Sequence, residues 1–151
     1  MNNLGLPITR GDLGVANNGA SFINGQLFVI DMRVLFICVG NTCRSQMAEG
    51  WAKHLGLEAE SAGASSYESV VAPKAVAVMA EKGIDISVQY PKSINDVDVD
   101  SFNLIYSMGC GVSCPEIPLN DDWELSDPWG DDIAKYRQTR DEIELRVRGL
   151  L

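Results

Sequence analysis

From residue 33 onward the apolar positions of the chain switch repeatedly between the spacing of a buried strand and that of a helix. Residues 33–38 read Arg-Val-Leu-Phe-Ile-Cys, an almost unbroken apolar run of the kind found in strands covered on both faces. The amphipathic segment 44–55 follows and predicts a helix, with Met47 and Trp51 on the side expected to face a core. A short strand is expected near 58–62. Pro73 at a first turn and Gly83 past the end bracket a helix over 73–82. Residues 93–102 predict a short helix or loop, 103–108 a second buried strand, and 123–125 a short edge strand. The helix expected over 131–151 carries acidic residues early and Arg146 and Arg148 late, matching its dipole. This alternation predicts the α/β class: one domain with an open, parallel, four-stranded sheet and helices on both faces. Its site should lie at the carboxyl ends of the strands.

Residues 1–31 stand apart, rich in Asn and Gly and without cysteine. Asn24-Gly25 between apolar runs is a hairpin signal. The favoured alternative is a dispensable, poorly ordered leader, with the functional domain spanning 32–151. The whole chain of 151 residues suffices for one core but hardly for two. Acidic residues outnumber basic ones 21 to 12, a net charge of -9 that argues against nucleic-acid or anionic-membrane partners. An anion site would have to be made locally, against that field. No apolar run is long enough to span a bilayer and no signal peptide is evident. Four cysteines without such a signal point to reduced thiols in the cytoplasm, used for chemistry or metal.

The chemistry concentrates where the first strand meets the first helix. Cys38 closes the strand, and Val39, Gly40, Asn41, Thr42 and Cys43 lead to Arg44 and Ser45 at the helix start. A strand–loop–helix aims backbone N–H groups and the positive end of a helix into one concavity. A thiol there is expected as a thiolate, stabilised by those dipoles and by Arg44. Arg44 offers a planar fork to two oxygens of a tetrahedral anion, which lysine would not replicate. Gly40 allows close backbone approach, and Asn41 suits a positive φ. Ser45 either donates its hydroxyl to Cys38 or caps the helix. Residues 39–45 are therefore the candidate oxyanion loop and Cys38 the candidate nucleophile.

Cys-x5-Arg alone is a weak pattern, but residues 34–45 resemble the phosphate-binding loop of the low-molecular-weight protein tyrosine phosphatase superfamily. Cys43-Arg-Ser-Gln-Met-Ala-Glu-Gly50 resembles its arsenate reductase branch. So do Ser61-Ala-Gly63, Pro73-Lys-Ala75, Asp85-Ile-Ser87, Trp123 ahead of Asp127-Pro128, and Arg140-Asp-Glu-Ile143. The resemblance runs from about residue 32 to the C-terminus. It implies that Asp127 is the general acid that protonates the departing oxygen; taken alone, that residue reads as a turn aspartate before proline. Trp129 is expected to wall the pocket.

Cys110 and Cys114, just after the second buried strand, separate the two branches. A phosphatase needs no thiols there. A reductase does, because the sulfur adduct must be resolved by a second thiol and the disulfide passed outward by a third. Inert cysteines, a metal site and an oxidation-protection pair are the competing readings. Gly109 and Gly111 would lend the segment freedom to move. Cys43 is read as either a protective disulfide partner of Cys38 or a packing residue.

A four-cysteine zinc site is disfavoured, since Cys38 and Cys43 belong to the oxyanion loop. Asn41, Glu49 and Ser61 match a potassium site known in this branch, but Lys92 stands where an acidic ligand is expected, so no metal is assigned. The resemblance thus implies reduction of arsenate to arsenite, with phosphate or sulfate as analogues and no bound cofactor. Catalytic roles fall to Cys38, Arg44, Asp127, Cys110 and Cys114. Recycling would use an external thiol, either thioredoxin or a glutathione or mycothiol system. The alternatives are a tyrosine phosphatase sharing Cys38, Arg44 and Asp127, and a non-catalytic redox or oxyanion sensor.

Overall fold

The computed structural model describes residues 20–23, 26–29, 32–65, 69–109 and 116–151. Strands β1 (Ala20–Ile23) and β2 (Gln26–Val29) pair antiparallel as a hairpin of their own. The main sheet has four parallel strands: β3 (Arg33–Cys38), β4 (Glu58–Gly63), β5 (Leu104–Ser107) and the very short β6 (Asp121–Asp122). Their order is β4-β3-β5-β6, so the first strand of the domain lies inside, as its unbroken apolar run requires. The register sets Cys38 beside Gly63 and Ile37 beside Ser107, bringing three strand ends to one edge.

Alternation along β3 divides the core in two. Val34 and Phe36 face the helices α1 (Arg44–His54), α2 (Pro73–Ala80) and α3 (Ile133–Arg148), and share a cluster with Met47, Trp51, Val78 and Ile143. Leu35 and Ile37 face the other way, under the 3-10 turns Ile94–Asp96 and Val99–Ser101 and the side chains of Ile117 and Leu119. Among the described residues, then, the α-helices pack on one face and single turns cover the other. Gly50 lets α1 lie against the 84–86 segment, because a Cβ there would meet Ile86 Cγ2 at 2.6 Å.

The edge strand is displaced from its expected place. It occupies Asp121–Asp122, not residues 123–125, because Glu124 turns the backbone to φ 49° and ends the extended run. Trp123, expected at the head of that strand, instead packs its ring 5.7 Å from Phe36 and 5.1 Å from Tyr106. The last helix begins two residues later than expected, where Asp132 caps it by accepting from Lys135 N at 3.1 Å.

Candidate active site

The loop between β3 and α1 is held by one asparagine. Asn41 sits at φ 58°, a region asparagine tolerates better than most residues, and is fully buried. Its Oδ1 accepts from Lys92 N at 2.9 Å, which turns its Nδ2 toward Ser45 Oγ at 2.7 Å. Ser45 Oγ already accepts that bond, so its own hydrogen is free to point at Cys38 Sγ, 2.8 Å away. Asn41 N donates to the same sulfur at 3.2 Å. Of the two roles open to Ser45, the geometry is that of a donor to sulfur, and no side chain caps α1.

The loop carbonyls are engaged away from the concavity. Cys38 O accepts from Ala64 N, Val39 O from Ser65 N and Thr42 O from Ala72 N, at 2.9–3.0 Å, and Asn41 O accepts from Gln46 Nε2. With those oxygens already engaged, the loop preceding a helix start has the features of an anion-binding nest. The steric demand for glycine falls at Gly63, not at Gly40. A Cβ on Gly63 would meet Val39 O at 3.0 Å and Gly40 C at 3.1 Å, whereas one on Gly40 would meet only Thr42 Oγ1 at 3.8 Å.

Arg44, 3 % exposed, is anchored by one corner of its guanidinium. Its Nη1 donates to Met108 O at 2.8 Å and Leu125 O at 2.9 Å. The opposite edge, Nε and Nη2, is not consumed: Nη2 lies 3.4 Å from Asp127 Oδ2, and Nε is buried without a partner. A guanidinium edge of this kind can donate to two oxygens of a tetrahedral anion side by side.

Asp127 stands half-exposed at the rim, its Oδ1 accepting from Trp129 N at 3.0 Å and from the Cys43 thiol at 3.4 Å. Cys43 is buried, and burial, with the charges of Asp127 and Cys38 adding, pushes its thiol up to about 12. Tyr136, on the first turn of α3, is likewise pushed up to about 12, by burial and then by Cys43, Asp127 and Asp131. Cys38, Val39, Gly40, Thr42, Cys43, Arg44, Ser65, Asp127 and Trp129 enclose a cleft of about 220 Å³, room for a small oxyanion. A larger cleft of about 540 Å³ opens beside the amino ends of β3 and β4, away from this chemistry. There Arg33 is already paired with Glu58 and Glu60.

The strand ends thus bring Cys38, residues 39–45 and Asp127 together. Cys110 and Cys114 lie outside the described residues. Gly109, expected to lend mobility, is wedged at φ 106°, where a Cβ would meet the backbone of Glu124 and Leu125 at 3.2 Å. Among the described residues, no three His, Cys, Asp or Glu side chains gather as a metal site. Glu49 is taken by Ser61 Oγ and Lys53 Nζ, and the Lys92 ammonium sits 4.9 Å over the Tyr90 ring. Sequence reasoning missed the supports: Gln46, Ser65 and the carbonyls of Met108 and Leu125. A buried glutamine on a helix is a legible clue, but a carbonyl belongs to every residue and leaves none.

Comparison with known proteins agrees with this geometry. The sequence profile of low molecular weight phosphotyrosine protein phosphatase matches residues 33–113. A glutaredoxin arsenate reductase of Synechocystis sp. is 40% identical over 125 residues, covering 79% of this chain and 95% of that protein. An arsenate reductase of Staphylococcus aureus is 38% identical over 122 residues, covering 76% and 92%. A solved arsenate reductase in the phosphate-binding state superposes with a TM-score of 0.72 at 39% identity, covering 79% and 95%. The profile match over more than half the chain, and relatives aligned over nearly their full length, carry one conclusion: the chain belongs to the low molecular weight phosphotyrosine protein phosphatase family.

Proposed function

We propose that this protein reduces arsenate to arsenite through a sulfur adduct resolved by thiols. The observation that carries the proposal is the Nε–Nη2 edge of Arg44, buried beside the loop with Nε unpartnered and Nη2 facing Asp127 at 3.4 Å. Arsenate would lie in residues 39–44 with that edge across two oxygens. The Cys38 thiolate, supported by Ser45 and the Asn41 amide, attacks arsenic. As the S–As bond forms, one As–O bond breaks, and the proton of Asp127 leaves with that oxygen as water.

From the adduct onward the reading rests on chain position and resemblance. The Cys110 thiolate attacks Cys38 Sγ, the S–S bond forms, and the electron pair of the S–As bond reduces arsenic from the +5 to the +3 state. Cys114 then attacks Cys110, freeing Cys38 and leaving a Cys110–Cys114 disulfide for an external thiol. The similar proteins include one named as glutaredoxin-linked, so glutaredoxin joins thioredoxin, glutathione and mycothiol as a candidate donor. Such recycling suits a reducing, cytoplasmic setting. Among the described residues no helix is long and apolar enough to cross a membrane.

The test follows arsenate-dependent NADPH oxidation with thioredoxin or glutaredoxin supplied, beside hydrolysis of an aryl phosphate. Turnover of arsenate that stops in Cys38→Ser and in the Cys110→Ser, Cys114→Ser double variant is expected. Arsenate turnover that survives the double variant overturns the three-thiol route. Aryl phosphate hydrolysis without arsenate turnover moves the assignment to the phosphatase branch.

A further inference from the structure

The scheme above gives Cys43 no task, yet its sulfur lies against the acid. It is 3 % exposed at the residue preceding α1, and its thiol reaches Asp127 Oδ1 at 3.4 Å, a fair length for a sulfur donor. Trp129 N donates to the same oxygen at 3.0 Å. The other oxygen, Oδ2, faces Arg44 Nη2 at 3.4 Å, and both residues line the cleft. The two carboxyl oxygens are therefore not equivalent. One donor on Oδ1 would leave the group free to swing about its Cβ–Cγ bond; two donors fix its plane. An oxygen that accepts two hydrogen bonds is also poorly placed to carry an acidic proton toward substrate.

We infer that Cys43 is a positioning residue, its protonated thiol holding Asp127 Oδ1 so that Oδ2 carries the transferable proton into the cleft. This rests on the reading of Asp127 as the acid. A thiol suits the task because it stays protonated where the site works: burial, Asp127 and Cys38 all oppose its ionisation. The charged and titratable groups facing the pair are Arg44 and Cys38 from the loop and α1, and Tyr136 from α3 with Asp131 just before it. Lys74 from α2 lies over the Tyr136 ring and donates to Asp131 O, tying that corner shut. In the reaction the proton on Oδ2 passes to the departing oxygen as the S–As bond forms. The carboxylate left behind keeps both donors on Oδ1, so it does not rotate away before it is reprotonated.

Two measurements on the reduced full chain test this. The first is the infrared S–H stretch of Cys43, assigned from the difference spectrum between wild type and Cys43→Ser. In Asp127→Ala the band should move to higher wavenumber as its hydrogen-bond acceptor is removed. A band that does not move, or no band at all, overturns the inference. This arm requires no turnover, so it decides the contact even if the reductase reading fails. The second is single-turnover, arsenate-dependent oxidation of Cys38. Cys43→Ala should lower the rate constant at saturating arsenate about ten-fold, with half-saturation little changed, because a misplaced acid costs chemistry before binding. Cys43→Ser, which keeps a donor, should return the rate to within about three-fold of wild type. In the Asp127→Asn background, Cys43→Ala should cost less than about two-fold, since its effect passes through Asp127. An equal loss in both backgrounds, or a serine variant no better than alanine, assigns Cys43 to packing and overturns the proposal.

Discussion

Replacing Arg44 with lysine keeps the charge and removes the geometry. The guanidinium uses separate corners: Nη1 joins Met108 O to Leu125 O, and the edge with unpartnered Nε and with Nη2 facing Asp127 is the proposed grip on the anion. A lysine ammonium has its donors at one point. It can reach the two carbonyls or the cleft, but it cannot present a flat pair of donors to two oxygens while bound to both carbonyls. Each hydrogen bond to a charged group is worth about 1.5–3 kcal/mol. Loss of one of the two anion contacts should therefore weaken phosphate binding about ten- to a hundred-fold. Loss of one carbonyl contact should cost stability of about 1.5–3 kcal/mol as well. In a chain of 151 residues that corresponds to about 3–12 °C in Tm.

Phosphate titration by calorimetry and thermal unfolding of the same preparations read the two effects apart. Affinity within about three-fold of wild type, however far Tm falls, would refute the assignment of the Nε–Nη2 edge to anion binding. Unchanged Tm with weakened binding would refute the anchoring role of Nη1. Arg44→Ala does not separate these cases, because it removes both corners at once, the anion-facing edge and the Nη1 bonds to Met108 O and Leu125 O.

Three further outcomes follow from the same geometry. Gly63→Ala should push the loop by forcing Val39 O and Gly40 C away from 3.0–3.1 Å, so phosphate affinity should fall at least ten-fold, about 1.4 kcal/mol, while the far-ultraviolet circular dichroism is unchanged. Gly50→Ala should instead cost about 1–3 kcal/mol in urea unfolding, by overpacking Ile86 and Met79, and leave anion affinity near wild type. Glu81 is held down to about 2 by hydrogen bonds from Arg137 and Arg140, below its ordinary 4.5. A depressed carboxylate stabilises the fold above its unfolded value and loses that contribution as pH falls through its folded one. The Tm advantage of wild type over Glu81→Gln should accordingly be full near neutral pH and shrink between pH 4.5 and about 2; an advantage that persists at the acid end contradicts the ion-pair origin.

Residues whose task is written in their own side chain were legible before any coordinates. The strand 33–38 was, because an unbroken apolar run suits a strand with neighbours on both sides and cover on both faces. Asn41 was legible for its positive φ, and Arg44 for its planar fork at a helix start. Trp123 misled because an aromatic after a loop fits an edge strand and a core plug equally well. The positive φ of Glu124, which decides between them, has no composition signal. Gly40 and Gly63 look alike in sequence, and only the close approach of the neighbouring backbone assigns the steric demand to the second. The contact of Cys43 with Asp127 spans 84 positions, and no local pattern announces it.

The net charge of -9 makes the local construction of the site necessary. A dianion approaching this protein meets a repelling field, which salt screens over about 10 Å at 0.1 M. What draws the anion in must therefore act at contact distance, and each part of the loop meets that condition. The amides are preset because the carbonyls are already bound to residues 64, 65 and 72. The Arg44 cation is preset because the carbonyls of Met108 and Leu125, beyond the ends of β5 and β6, hold one corner of it. Asp127, the proposed acid, is preset by two donors on a single oxygen. None of these groups has to reorganise when charge moves from sulfur to the departing oxygen, and preorganisation of that kind is the largest electrostatic contribution to reactions of this type. A surface studded with lysines would attract oxyanions faster but would not distinguish one held for in-line attack from one merely nearby. On the proposed reading the buried guanidinium edge supplies that distinction, in a chain whose net charge of -9 repels oxyanions.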